Sequence, residues 1–350
     1  DVTGRILLSE TGVSATDVAA RAFGGPVKFS VGNADGGLRV TARGNADMQV
    51  VRAELPPGLG SRISGTADWA LTLDDRAGQS QWTLESTLRG VEIDLPSPVG
   101  KIAADARSLR VERRPDAPGG GDTLSLALAG AGQVVAQRRL ADGKQLHGRV
   151  LELHGRATQQ PGDAGRSGVW VRGDLPTVNP ADWLALRDQV MERGGAEVTS
   201  TMPGLAGIDL EVGVLSAFGR NLKEVNVSAR ASGADWNVRL DSREAAGTAQ
   251  WHAASPSAPN GRLVARLSRL SLPGEGELTP WQGADTGPRA RPADAKNPWP
   301  ELDVRAESLV SSGRDFGRFE LVATPQGADW RISKLVLGAE AGSVKAEGWW

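Results

Sequence analysis

The chain has 350 residues and a formal net charge of −2, with no excess of either sign to make an electrostatic case for nucleic acid or an anionic membrane surface. It contains no cysteine, which excludes disulfides, thiolate metal sites and cysteine nucleophiles while leaving the compartment open. No apolar run approaches the roughly 20 residues needed to cross a bilayer. The start at Asp1 without a signal-peptide pattern, and the end at Trp349 and Trp350 inside a strand-like pattern, read as an excerpt of a longer protein whose anchor would lie outside it.

Period-two alternation dominates the chain, and each alternating stretch puts one apolar row on one face of a strand. In chain order the first rows are Leu38, Val40 and Ala42; Trp69, Leu71 and Leu73; Trp82 and Leu84; Val91, Ile93 and Leu95; and Leu124, Leu126 and Leu128. Turn signals at Asp35 to Gly37 and at Asp142 with Gly143 separate strands in this half. At Asn179 the period changes. Asn179, Pro180 and Asp182 supply an N-cap, a first-turn proline and a first-turn acid. Trp183, Leu186, Val190 and Met191 then recur at helical spacing, and Gly194 with Gly195 marks an end. Strand alternation resumes with Leu210, Val212 and Val214; Val225, Val227 and Ala229; Trp236, Val238 and Leu240; Leu263, Ala265 and Leu267; Phe319, Leu321 and Ala323; and Trp330 with Ile332. Loops are expected at 115–122, 159–168, 255–261 and 279–300, the last being the longest and richest in proline and charge.

These signals divide the chain into β-segments at 1–178 and 196–278, an amphipathic helix at 179–195, a linker at 279–300 and a last β-segment at 301–350. The last segment repeats residues 208–251. Gly219, Arg220, Gly233, Asp235 and Trp236 match Gly313, Arg314, Gly327, Asp329 and Trp330 at a constant offset, and Asp209 and Leu215 match Asp303 and Leu309. Such repetition belongs to architectures that grow by adding units.

The pattern implies roughly fifteen to twenty strands, more than the roughly 10 that an open sheet carries without curling or splitting. One short helix cannot cover so many apolar faces, so the sheet has to turn its apolar side on itself as a sandwich, a barrel or an open trough. Periodicity does not choose among them. The fold class expected is all-β, a long antiparallel meander folded into an elongated groove with one short helix.

The stretch from Leu88 through Val91, Ile93, Leu95, Pro96 and Pro98 to Lys101 resembles a motif of the YhdP-type proteins in the AsmA-like superfamily. Gly65 to Leu73, the helix start at Asp182 to Leu184, Trp299 to Val304, Gly313 to Gly317 and Gly327 to Trp330 fit the same pattern in the same order. The resemblance implies a large inner-membrane-anchored protein of the Gram-negative periplasm, whose β-groove helps carry phospholipid between the two membranes. It implies phospholipid acyl chains as the partner, a membrane anchor outside this chain, no nucleic acid, no cofactor and no catalytic motif. The groove lining is then expected at Leu71, Leu84, Ile93, Leu126, Leu210, Val212, Val225, Val227, Trp236, Val238, Ala265, Phe319, Leu321, Trp330 and Ile332.

No side-chain constellation argues for an enzyme. His147 and His154 are seven residues apart, on opposite faces if one strand holds both, and neither they nor His252 have an evident third ligand. Asp74 with Asp75 and Glu275 with Glu277 read as turn and solubilising acids. No nucleophile elbow, Walker loop or dinucleotide fingerprint is present. The chain has 11 Trp and no Tyr, and Trp69, Trp82, Trp236 and Trp330 each begin an alternating row. A competing reading keeps the same strands but closes their apolar faces into a dry core, as in a structural or adhesive envelope protein. A carbohydrate-active β-enzyme would need paired carboxylates across a cleft.

Overall fold

The computed structural model describes residues 2–10, 12–34, 36–55, 58–116, 121–139, 145–153, 168–201, 204–217, 220–272, 300–326, 329–339 and 342–349. They form two compact units, one of residues 1–173 with 181–205, the other of residues 174–180 with 206–350. Each is an open, antiparallel-rich sheet that does not close into a barrel, which makes the protein an all-β groove.

In the first unit β1 (Ile6–Ser9), β2 (Gly12–Ala22), β3 (Gly25–Ala34), β4 (Gly37–Asp47), β5 (Ile63–Arg76) and β6 (Gln79–Ser86) pair antiparallel in sequence order. A short helix, α1 (Met48–Val51), and two 3-10 turns fill the connection from β4 to β5. The three-residue β7 (Val91–Ile93) pairs with the first residues of β5. The main ladder passes it by and continues from β6 through β8 (Leu109–Pro115), β9 (Asp122–Leu128), β10 (Gly132–Arg139) and β11 (Gln145–Leu153). β12 (Val169–Val178) then adds to β11 in parallel.

The helix α2 (Pro180–Thr201) begins where the capping signals put it but runs six residues past Gly195. Two glycines weaken a helix by about 1 kcal/mol each without terminating it. Gly58, at φ +92°, would put a Cβ 3.1 Å from the Val190 Cα, so only a glycine admits this close approach.

In the second unit β13 (Leu205–Ala217), β14 (Arg220–Ser232), β15 (Asp235–Asp241), β16 (Ala245–His252) and β17 (Arg262–Leu272) form an antiparallel meander. β18 (Glu301–Ser311) joins β17 in parallel, and β19 (Arg314–Asp315), β20 (Arg318–Gln326), β21 (Asp329–Ala339) and β22 (Gly342–Trp349) return to antiparallel pairing. The meander is therefore interrupted twice by a parallel step. A parallel neighbour requires a crossover of a dozen or more residues, and the two steps coincide with the expected loops 159–168 and 279–300, which lie outside the described residues except for Gly168 and Pro300. The loop at 255–261 is present as a turn between β16 and β17.

The repeat is a repeat of register as well as of sequence. Val212 pairs with Val225, Leu210 with Val227 and Ile208 with Ala229. Their counterparts pair in the same way: Ala306 with Phe319, Val304 with Leu321, and Leu302 with Ala323. A bulge between Val322 and Ala323 then shifts the second copy by one residue against β21.

A small dry core sits at one margin of the first unit. Val91 (1% exposed), Leu88 and Ile93 pack with Ala67, Leu128 and Ala131, flanked by Met48, Ile63, Leu95 and Val99. Lys101, itself buried, lies beneath this cap and donates to the carbonyls of Leu88 (3.0 Å), Val91 and Ile102 (2.9 Å), which uses all three of its protons. Burial pulls its pKa below the ordinary lysine value.

Candidate functional site

Register fixes which residues share a face, because directly opposed residues on paired strands point the same way. In the first unit Val18, Phe29, Ala42, Leu71, Leu84, Val111, Leu126 and Val134 stand opposite one another across β2 to β6 and β8 to β10. In the second unit Leu210, Val227, Leu240, Gly247, Leu267, Ala306, Phe319, Leu337 and Val344 form one such row. Ile208, Ala229, Val238, Ala249, Ala265, Val304, Leu321, Leu335 and Ala346 form the next. Neither row contains a polar side chain. An apolar stripe thus crosses every long strand of the second unit.

The other face is polar. Asp209, Ser228, Arg239, Thr248, Arg266, Arg305 and Glu320 run across it in register. Arg230 binds Asp209 through two contacts of 2.7 and 2.8 Å, and Arg266 binds Asp303 at 2.9 and 3.1 Å. The Arg266 guanidinium holds the Asp303 carboxyl below its ordinary pKa, and Lys334 does the same for Glu320. Such a face belongs in water.

Burial separates the stripe from an ordinary core. The small side chains Ala265, Ala306 and Ala323 are buried, but Trp236, Val238, Leu240, Leu267, Val304, Phe319, Leu321 and Ile332 are only half-buried. Leu126 is 38% exposed. Among the described residues the largest of the most deeply buried side chains are Val18, Val91 and Val225, at 0–1% exposure, while Leu309, Leu175, Trp69 and Leu88 are buried less completely, at 5–8%. A closed sandwich would bury its largest apolar residues most deeply.

Of the expected lining, Leu71, Leu84 and Leu126 fall on the stripe of the first unit. Leu210, Val212, Val225, Val227, Trp236, Val238, Ala265, Phe319, Leu321, Trp330 and Ile332 share the apolar face of the second. Val212 and Val225 are buried there, 3% and 1% exposed, as are Ala306 and Ala323 on the same face. Ile93 belongs elsewhere, in the dry cap, where it pairs with Ile63. Alternation reports a face and not what covers it. Leu335 and Leu337 lie on the stripe although the bulge breaks their alternation with Ile332; the signal that could have found them is the apolar run itself.

The titratable groups hold structure. Among the described residues no group of histidines and acids could hold a metal ion. Asp74 is bound by Arg39, which lowers its pKa, and Asp75 accepts from the Ser80 hydroxyl. His252 Nδ1 lies 2.9 Å from Asp235, whose other oxygen accepts the Ala253 N–H at 3.0 Å; these two contacts lower the Asp235 pKa, the backbone one more strongly. His147 is in β11, while His154, Glu275 and Glu277 lie outside the described residues.

Open sheets with one half-exposed apolar face, one polar face and an internal repeat define an all-β protein of groove type. The chain matches the model of the YhdP protein family over residues 1–350 and belongs to that family, whose members are envelope proteins of lipid-transport type. No curated protein and no solved structure matches it. No helix among the described residues is long and apolar enough to cross a membrane.

Proposed function

We propose that this chain is a segment of an inner-membrane-anchored periplasmic protein that conducts phospholipid between the inner and outer membranes along the apolar stripe, without catalysis. The observation that carries the reading is the stripe itself, unbroken across the second unit and half-exposed at its large side chains. Each acyl methylene taken from water onto it gains about 0.8 kcal/mol, while a headgroup at the strand ends keeps its hydration. Transfer between neighbouring rows exchanges like contacts for like, so a tail moves along the stripe without a deep trap.

Photo-crosslinking residues at Val227 and at Asn226, placed in the full protein in cells, test this directly. Val227 is on the stripe and Asn226 is exposed on the opposite face. Phospholipid adducts at Val227 and none at Asn226 are expected. Lipid at neither, in a folded and correctly located protein, would transfer support to the closed structural reading.

A further inference from the structure

On the polar face of the second unit, neighbouring strands bring two rows of side chains together. Ser228, Arg239, Thr248 and Arg266 stand opposite one another across β14, β15, β16 and β17, and Arg230, Asn237 and Gln250 form the adjoining row. They line one shallow concavity of about 590 Å³, and among the described residues no carboxylate lines it. The concavity of the first unit, about 1100 Å³, differs: Asp17, Asp68 and Glu85 line it together with Lys28 and Arg43.

The outer cations of the block already have their acids. Arg230, on β14, is bonded to Asp209 and Arg266, on β17, to Asp303, and neither acid lines the concavity. Arg239 lies between them and is different. Among the described residues its guanidinium has no hydrogen bond or ion pair, and the Ser228 and Thr248 side chains on either side of it have none either. The next acid along β15, Asp241, is two residues on and lies 3.5 Å from Arg269. Asn237 and Gln250 meet each other at 3.3 Å, which leaves one end of each amide unused.

The internal repeat shows that the fold does not need this arrangement. The later copy keeps the stripe, with Val212, Val227 and Val238 falling on Ala306, Leu321 and Ile332. Ser228, Arg230 and Arg239 fall instead on Val322, Thr324 and Ser333, while Asn237 falls on Arg331. The apolar face is repeated, and the block around Arg239 is not.

We propose that this block binds the phosphate group of a small phosphorylated polyol or sugar, with Arg239 as its principal contact. A guanidinium offers a fixed fork of N–H groups that matches two phosphate oxygens, and the flanking hydroxyls donate to the others. With Arg230 and Arg266 each turned to its own acid, Arg239 is the uncompensated charge that a dianion would neutralise. The unused amide ends of Asn237 and Gln250 suit hydroxyl groups on the organic part. The volume is in the range of small-ligand sites. Thr248 and Arg266 are mid-strand, so the floor of the hollow is out of reach of a planar membrane surface. A lipid on the stripe has the sheet between itself and Arg239. The inference therefore stands apart from the lipid-groove reading.

Isothermal titration calorimetry of the full chain with glucose 6-phosphate and with inorganic phosphate tests it, in the wild type, in Arg239→Gln and in Arg318→Gln. Arg318 is exposed and lies outside the concavity, so its variant makes the same change in charge elsewhere. Circular dichroism checks that both variants are folded. Saturable binding of both probes by the wild type and by Arg318→Gln, weakened at least about tenfold in Arg239→Gln, is the expected result. No saturable binding by the wild type, or equal weakening in the two variants, would overturn the site. Sedimentation with phosphatidylglycerol vesicles separates the two sources of phosphate. Retention on the vesicles should be the same for Arg239→Gln as for the wild type, and retention that depends on Arg239 would overturn the assignment to a solute and give the site to a lipid headgroup.

Discussion

Val91 and Ile93 flank Glu92 in the first unit as Val238 and Leu240 flank Arg239 in the second, and the sequence pattern of the two triplets is the same. Their surroundings are not. The first pair is 1% and 9% exposed, sealed by Leu88, Leu128 and Ala131, whereas the second is half-buried. The difference lies in what the chain inserts between strands. In the first unit the connections from β4 to β5 and from β6 to β8 are long enough to fold back as α1, the 3-10 turns and β7. In the second unit β13 to β17 are joined by short connections, apart from the nine residues between β16 and β17, and among the described residues these form no helix or extra strand. Burial in the first unit is thus greatest in the cap and in a second cluster of Val27, Ala42, Ala46 and Trp69, against which Leu71 and Leu84 pack, while the large stripe residues of the second unit stay half-buried.

The largest effect that would break this comparison is expected at Lys101. Lys101→Ala removes the donor from three carbonyls beneath the cap. The Leu88 and Ile102 carbonyls keep the backbone N–H groups of Val91 and Asp105, so the loss expected in the unfolding free energy is that of the bonds to a charged donor, about 3 kcal/mol. Urea denaturation followed by tryptophan fluorescence measures it. A change close to zero would mean that the cap is not a stabilising core.

Next in size is a matched pair of truncations. Val91→Ala is expected to destabilise by about 2 kcal/mol through lost burial and a residual cavity. Leu267→Ala on the stripe deletes more carbon yet is expected to cost less than about 1 kcal/mol, because the half-buried site leaves no closed cavity. The same denaturation curves decide it. Equal costs would indicate a sealed stripe and favour the dry-core protein.

That pair also shows where sequence reading succeeds and where it stops. Alternation places Val227, Val238 and Phe319 on one face because a strand's period is two, and register joins them into a row. The repeat is legible because Asp235 and Trp236 recur as Asp329 and Trp330 around a turn of the same length. Ile93 reads as groove lining because two residues of alternation carry no record of the cap folding over them. Strand direction is equally silent: the parallel steps at β11 with β12 and β17 with β18 have ordinary strand sequences, and only the length of the connecting segments marks them. Gly194 and Gly195 read as a helix end because local propensity takes no account of the helix-forming residues beyond them, which carry α2 on to Thr201.

Smaller effects sharpen the comparison inside the repeat. Trp330→Phe removes an indole bond to the Pro300 carbonyl, and a loss of about 1 kcal/mol is expected. Its counterpart Trp236→Phe removes a donor with no acceptor among the described residues, so less than half of that is expected in thermal or chemical denaturation. Equal losses would show that the Trp236 N–H is held by the protein.

The smallest effect expected is a pH dependence that belongs to the polar face. Asp303 is held below its ordinary pKa, first by its bonds to Arg266, against the opposing effect of burial. A carboxyl depressed in the folded state contributes stability above its unfolded pKa and loses it as pH falls through the folded value. The stabilisation should therefore be complete at neutral pH and disappear only below the ordinary carboxylate range. Because Arg266 is 42% exposed and screened by solvent, the amount should stay within about 1 kcal/mol. Comparing the stability of the wild type and Arg266→Gln between neutral and strongly acid pH isolates it: the two should differ at neutral pH and converge on acidification. Lipid retention should meanwhile stay the same in both, since Asp303 and Arg266 lie on the face opposite the stripe. If Arg266→Gln sheds lipid while remaining folded, the two faces are coupled, and the division of labour between a polar face for solubility and an apolar face for cargo fails.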